Sequence, residues 1–144
     1  MEKLFLWMIE VFLDTSFAIA LSAVTDQNHL RAVQLADQFE ANKTRLVTTQ
    51  AILLEIGNAL SKQRYRRAAI QILESLEADP NVEIVLLTKD LYRAAFNLFK
   101  QRKDKQWGLV DCISFIVMHN RGITDALTAD VHFNQAGFRA LLRN

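Results

Sequence analysis

Cysteine is almost missing from this chain: Cys112 is the only one in 144 residues. An intrachain disulfide is excluded, as is a metal cluster built on cysteine thiolates, and a reducing cytoplasm is the expected compartment. With one proline and four glycines, no stretch reads as a linker or disordered tail. No apolar run reaches the roughly 18 residues needed to cross a bilayer, so no membrane role is expected. Neither sign of charge dominates, since 17 basic residues face 16 acidic ones. Any nucleic-acid binding must then come from local patches rather than a long-range field. His29, His119 and His132 are too scattered in the sequence for a zinc set, and His132 is expected to pack locally or cap a helix.

What the chain has in quantity is apolar side chains, 51% of the total. At this length they can fill one core, and residues 1–144 are expected to form a single domain. The opening Met1–Met8 is apolar but lacks a signal-like cleavage site before the first strand. It reads as an amino-terminal extension, with Met8 as an alternative start and Leu4, Phe5 and Trp7 available to an interface.

Strand and helix patterns alternate along the chain. Ile9–Leu13 is rich in β-branched and aromatic residues and reads as a strand ending at Asp14. A short helix over Phe17–Leu21 and an amphipathic one over Asp26–Asn42 follow. Arg45–Thr48 is a strand, with Thr48 or Thr49 capping a helix at about 50–62. Tyr65–Ala78 is a helix stopped before Pro80, and Val82–Leu87 a strand. Thr88 caps a helix to about Arg102, and Leu109–Asn120 is a strongly apolar helix closed by Gly122. Ile123–Ala129 is a strand, Val131–Ala136 a helical turn and Phe138–Leu142 a last short strand. Such alternation predicts βαβ units and a mainly parallel sheet covered on both faces.

Four acids stand out against this apolar pattern. Asp14 and Asp130 follow strand ends, the edge at which open parallel sheets bind ligands. Either could instead cap the helix that follows. Glu55 and Asp111 lie on helices apolar almost all round. A helix of that kind is buried, and a buried carboxylate is costly unless paired, hydrogen-bonded or bound to metal. Asp111 gains some relief from its first-turn position, where free N–H groups favour an anion. Asn58, three residues after Glu55, and Ser114, three after Asp111, share their helix faces. If the four acids converge, they repel one another, and no lysine or arginine lies within these segments to offset them. A hard divalent cation held by oxygen ligands, Mg²⁺ or Mn²⁺, resolves the conflict most simply.

The ordered set Leu13-Asp-Thr-Ser16, Glu55 with Asn58, Asp111 with Ser114, and Leu127-Thr-Ala-Asp-Val-His-Phe133 running on to Ala136-Gly-Phe138 resembles the PIN domain. More narrowly, it resembles the VapC-like toxin ribonucleases. The resemblance covers about Val11 to Leu142 and departs at no acid position. It implies a three-layer α/β/α sandwich with a mainly parallel central sheet. It also implies a metal site formed by Asp14, Glu55, Asp111 and Asp130, with support from Ser16, Asn58, Ser114 and Thr128. The implied activity is metal-dependent endoribonuclease cleavage by in-line attack, leaving a 5′-phosphate and a 3′-hydroxyl. The implied partners are an RNA substrate, a small antitoxin and a second copy of the chain.

Two other readings stand beside it. One is a PIN-like scaffold that binds RNA or protein without cutting, though such a scaffold has no physical reason to keep self-repelling acids. The other is a phosphoacceptor receiver domain, which would want a late strand-end lysine that Thr128-Ala-Asp130 does not supply. Lys62, Arg64, Arg66 and Arg67, and Lys100, Arg102, Lys103 and Lys105, are either solvated surface or contacts for RNA phosphates. Trp107 is expected to pack over the start of the Asp111 helix. Asp125 begins the strand that Asp130 follows, too far along it to serve the same ion.

Overall fold

The computed structural model describes residues 9–143, so the amino-terminal extension, including Met8 and its apolar side chains, lies outside the described residues. The sheet is built on β1 (Glu10–Leu13), whose Val11, Phe12 and Leu13 are all buried. Such a continuous apolar run marks a strand covered on both faces. Around it lie β2 (Arg45–Thr49), β3 (Val82–Val85), β4 (Asp125–Leu127) and β5 (Arg139–Ala140) in the order β3-β2-β1-β4-β5. Every pairing is parallel, with Val11 opposite Leu46, Phe12 opposite Ala126 and Leu13 opposite Leu127.

Helices fill the crossovers: α1 (Thr15–Ser22), α2 (His29–Ala41), α3 (Gln50–Ala59), α4 (Gln63–Ala78), α5 (Lys89–Gln101), α6 (Leu109–Arg121) and α7 (Val131–Gln135). Side chains alternate along β1, so its two faces feed two cores. Phe12 joins Val47, Ile52, Ile56, Phe115, Met118 and Phe133. Val11 and Leu13 join Phe17, Leu35, Leu127 and Leu141 on the other side. The chain is therefore a three-layer α/β/α sandwich. No helix among the described residues is long and apolar enough to cross a membrane.

Local signals account for most boundaries. Thr49 and Thr88 accept from the backbone N–H of Ile52 and Leu91 and start α3 and α5. Gly122 ends α6 at φ 66°, a left-handed conformation that glycine adopts without a Cβ penalty. Several boundaries differ from the sequence pattern, and two of the differences have a local cause. α2 begins at His29, not Asp26, because the Asp26 carboxylate accepts from Asn28 N–H at 2.8 Å and holds a turn. β4 spans three residues rather than seven. Its exit is pulled from the sheet at Thr128, whose hydroxyl accepts from Asp130 N–H at 3.0 Å.

The strand order sets the position of any ligand site. From β1 the chain moves outward through β2 and β3, then crosses to β4 and β5 on the other side of β1. The reversal falls between β1 and β4, and the crevice beyond their carboxyl ends is where such sheets bind ligands. Asp14 follows one of these strands, and Thr128 and Asp130 the other. The amino ends carry an ion network instead, with Arg121 bridging Glu10 at 2.9 Å and Glu83 at 2.8 Å and Arg45 reaching both acids.

Candidate metal centre

Asp14 is the most constrained group at the switch point. Its backbone N–H donates to Leu127 C=O at 3.2 Å, which ties β1 to β4 at their carboxyl ends. Although it occupies the position before α1, its side chain makes no capping bond to that helix. The carboxylate instead accepts from the Thr128 hydroxyl at 2.7 Å and from Ser16 Oγ at 3.2 Å. Ser16 is itself fixed by Ala129 N–H at 3.0 Å, and its oxygen lies 3.2 Å from the Thr128 hydroxyl. Only 6% of Asp14 is exposed. Its carboxyl is pushed up to about 6, mainly by burial; the Glu55 and Asp111 charges add to the rise, and the Thr128 hydroxyl and Thr15 N–H oppose it.

Glu55 arrives from α3, where its carboxylate accepts the hydroxyl of Thr15, the residue after Asp14. This bond joins α3 to the start of α1 and draws Glu55 toward the cleft. Asn58, one turn on, is exposed and does not pair with Glu55. Asp111 sits in the first turn of α6 and accepts from Gly108 N–H at 3.0 Å. Ser114 is fully buried, but its hydroxyl donates to Val110 C=O at 3.2 Å on its own helix rather than to Asp111. Asp130 caps α7 by accepting from His132 N–H at 2.8 Å. It therefore does cap a helix, and its second oxygen stays available.

His132, expected to pack locally or cap a helix, does take part in the Asp130 cap through its N–H. Its ring also reaches the acids: Nδ1 lies 3.0 Å from Asp111 Oδ2 and 3.4 Å from Asp130 Oδ1. Ligand atoms of Asp111, Asp130 and His132 all fall within 4.8 Å of one another. The signal was the i, i+2 spacing after Asp130, which places the ring beside the acid that caps its own helix. Trp107 packs edge-on against Phe115 as expected and also donates to Gln135 on α7 at 3.0 Å. That bond braces the α6 and α7 ends against each other.

Among the described residues no lysine or arginine forms an ion pair with Asp14, Glu55, Asp111 or Asp130. Of the basic side chains nearby in sequence, Arg102 binds Asp104 and covers the Trp107 ring, Arg66 donates to Ser61 C=O, and Arg139 holds Asp125 at 2.6 Å. Arg143 donates to Ala129 C=O at 3.1 Å, beside Asp130 but not paired with it. A buried acid with two further carboxylates acting on it and no cationic partner is the donor chemistry that a divalent cation satisfies. Asp111, Asp130 and His132 are the residues placed to share such an ion, and Asp14 lies close enough to feel the Glu55 and Asp111 charges.

A parallel sheet with acids gathered at its switch point defines a class of α/β proteins with an acidic candidate site at that edge. Within that class, the chain belongs to the PIN domain family, which it matches over residues 11–139. It is 29% identical over 128 residues to the 23S rRNA-specific endonuclease VapC20 of Mycobacterium tuberculosis, covering 89% of this chain and 95% of that one. The crystal structure of that protein, described as a sarcin-ricin-loop-cleaving toxin, superposes with a TM-score of 0.77 over the same shares. The DNA-bound VapBC structure from Salmonella typhimurium gives a TM-score of 0.66 at 15% identity, covering 92% of this chain and 97% of that one. The latter likeness is one of fold.

Proposed function

We propose that this chain is a divalent-metal-dependent endoribonuclease, with Mg²⁺ or Mn²⁺ as its ion, acting as the toxin of a toxin–antitoxin pair. The observation that carries the reading is Asp14, buried at the end of the central strand, pushed toward neutrality, and facing two more carboxylates with no basic partner. Membership of the PIN family and likeness to an rRNA endonuclease support it. A small antitoxin and a second copy of the chain are the proposed protein partners.

A phosphodiester resists hydrolysis because it is anionic and its leaving alkoxide is poor. A bound divalent ion lowers the pKa of water, offsets phosphate charge and stabilises the departing oxygen. The protein's part is to fix the acids. Thr128 and Ser16 orient the Asp14 carboxylate and favour its ionised form, so that it is ready to bind a cation near neutral pH. Thr15 aims Glu55 from the facing helix to position a water. Gly108 N–H fixes the Asp111 carboxylate at the start of α6. Asp130 is held by His132 N–H, and the oxygen so held lies 3.4 Å from His132 Nδ1. The roles of Ser114 and Asn58 differ: Ser114 packs α6, and Asn58 is exposed where it can meet substrate.

Mapping the ends of RNA products tests the reading. An end-labelled RNA carrying the sarcin-ricin loop, beside an unrelated hairpin, should be cut to leave 5′-phosphate and 3′-hydroxyl ends. Asp111→Asn should yield no product. Cleavage by Asp111→Asn within about tenfold of the unaltered chain would show that the site is misassigned.

A further inference from the structure

His132 needs its own explanation. Its Nδ1 points between two carboxylate oxygens, 3.0 Å from Asp111 and 3.4 Å from Asp130. A neutral ring with its proton on Nδ1 meets this geometry as a hydrogen bond to Asp111. In the other neutral tautomer Nδ1 is a lone pair beside two anions, and a cation shared by all three donors makes that arrangement favourable. The spacing admits that cation. Donors at ~2.1 Å from an octahedral ion lie about 3 Å apart when adjacent and about 4.2 Å when opposite. The three ligand atoms lie within 4.8 Å of one another. Asp111 and Asp130 are each held by backbone N–H groups, so the oxygens that His132 faces are fixed.

We propose that His132 binds the site's cation directly through Nδ1, giving a mixed nitrogen and oxygen ligand set that favours Mn²⁺ over Mg²⁺. This rests on the metal-site reading above. Carboxylates serve Mg²⁺ and Mn²⁺ alike, whereas imidazole nitrogen favours first-row transition ions over Mg²⁺, which holds its water and oxygen ligands tightly. The sequence pattern had implied an oxygen-only set, and the geometry of α7 changes it. Because His132 N–H is the donor that Asp130 caps, the backbone locks ring and acid together as one two-pronged unit.

Pulsed electron paramagnetic resonance on Mn²⁺ added to the purified full chain reads the bond directly. The unaltered protein should show hyperfine coupling from a directly bound nitrogen. His132→Gln should lose that coupling and bind Mn²⁺ at least about tenfold more weakly, while Mg²⁺ affinity, measured by competition, falls less. Loss of outer-shell partners alone costs about 10–100-fold, so a lost ligand should not cost less. His132→Asp, an oxygen-only set, should lower the ratio of Mn²⁺ to Mg²⁺ affinity below that of the unaltered chain. Circular dichroism confirms that both variants fold, and the unaltered protein's spectrum decides the matter even if they do not. Mn²⁺ bound without nitrogen coupling would overturn the role of His132 and leave the metal-site reading standing. Coupling that persists in His132→Gln would also overturn it. Failure of the unaltered chain to bind Mn²⁺ or Mg²⁺ would overturn both.

Discussion

Thr128 donates its hydroxyl to Asp14 across 2.7 Å, joining the residues just beyond the two strands that flank the switch point. The bond stabilises the charged form of a carboxyl that burial pushes up to about 6. It also fixes which way the acid faces, because Ser16 and Ala129 N–H lock the same hydroxyl cluster. Thr128→Val keeps the shape and removes the donor. The Asp14 carboxyl should then rise further, and the acid limb of the pH–rate profile should move to higher pH. Mn²⁺ affinity should fall by about 10- to 100-fold. An unchanged acid limb would show that Thr128 is packing alone.

Asp14 itself predicts a gain in stability from losing its charge. Its carboxyl binds a proton more tightly folded than unfolded, so stability from this group is full below about pH 4 and lost as pH rises through about 6. Above that, the ionised acid costs on the order of 2–3 kcal/mol in the metal-free protein. Asp14→Asn should therefore raise the metal-free melting temperature by several degrees at pH 7.5 and by much less at pH 4.5. Excess Mn²⁺ should stabilise the unaltered chain and not the variant. Calorimetric scans at both pH values check this, and a variant less stable at pH 7.5 would contradict it.

Asp125 and Asp130 bracket β4 and should behave oppositely. Asp125 pairs with Arg139 at 2.6 Å, at the start of the strand and away from the crevice. Asp130→Asn should weaken Mn²⁺ binding and cleavage severely while still capping α7. Asp125→Asn should leave both near the unaltered values. Isothermal titration of Mn²⁺ into each variant decides the point; metal lost from Asp125→Asn and kept by Asp130→Asn would contradict the assignment.

Cys112 should be inert in the folded protein. It is fully buried on the inner face of α6, and burial, with the Asp111 charge beside it, pushes its thiol up to about 11. A thiol reagent at pH 7.5 should label it only after denaturant is added, which mass spectrometry reads directly.

The layers were legible in the sequence because apolar runs such as Val11–Leu13 are satisfied only between two covering layers. The four acids stood out as isolated charges in apolar surroundings, and Asp14 and Asp111 do come close enough to act on each other. Asp130 was ambiguous because it does both jobs, capping α7 and facing the site. Contacts between distant segments were less legible. Thr15 reaching Glu55 across 40 residues depends on how α3 lies against α1, so the adjacent Asn58 looked the natural partner. Ser114 could have served Asp111, but a hydroxyl inside a buried helix finds its own backbone carbonyl closer. His132 was read as scattered because linear distance hid that α6 and α7 meet at their starts. Strand order, which makes β1 and β4 neighbours, is likewise a property of the crossovers rather than of any strand's residues.

The claim that a cation held by these acids cleaves RNA is tested most directly by a single comparison. Purified protein is incubated with end-labelled RNA in excess EDTA, and then with Mn²⁺ or Mg²⁺ restored. Cleavage should be absent in EDTA, return with either ion and return more strongly with Mn²⁺, and stay absent for Asp14→Asn under every condition. Undiminished cleavage in excess EDTA would contradict the account.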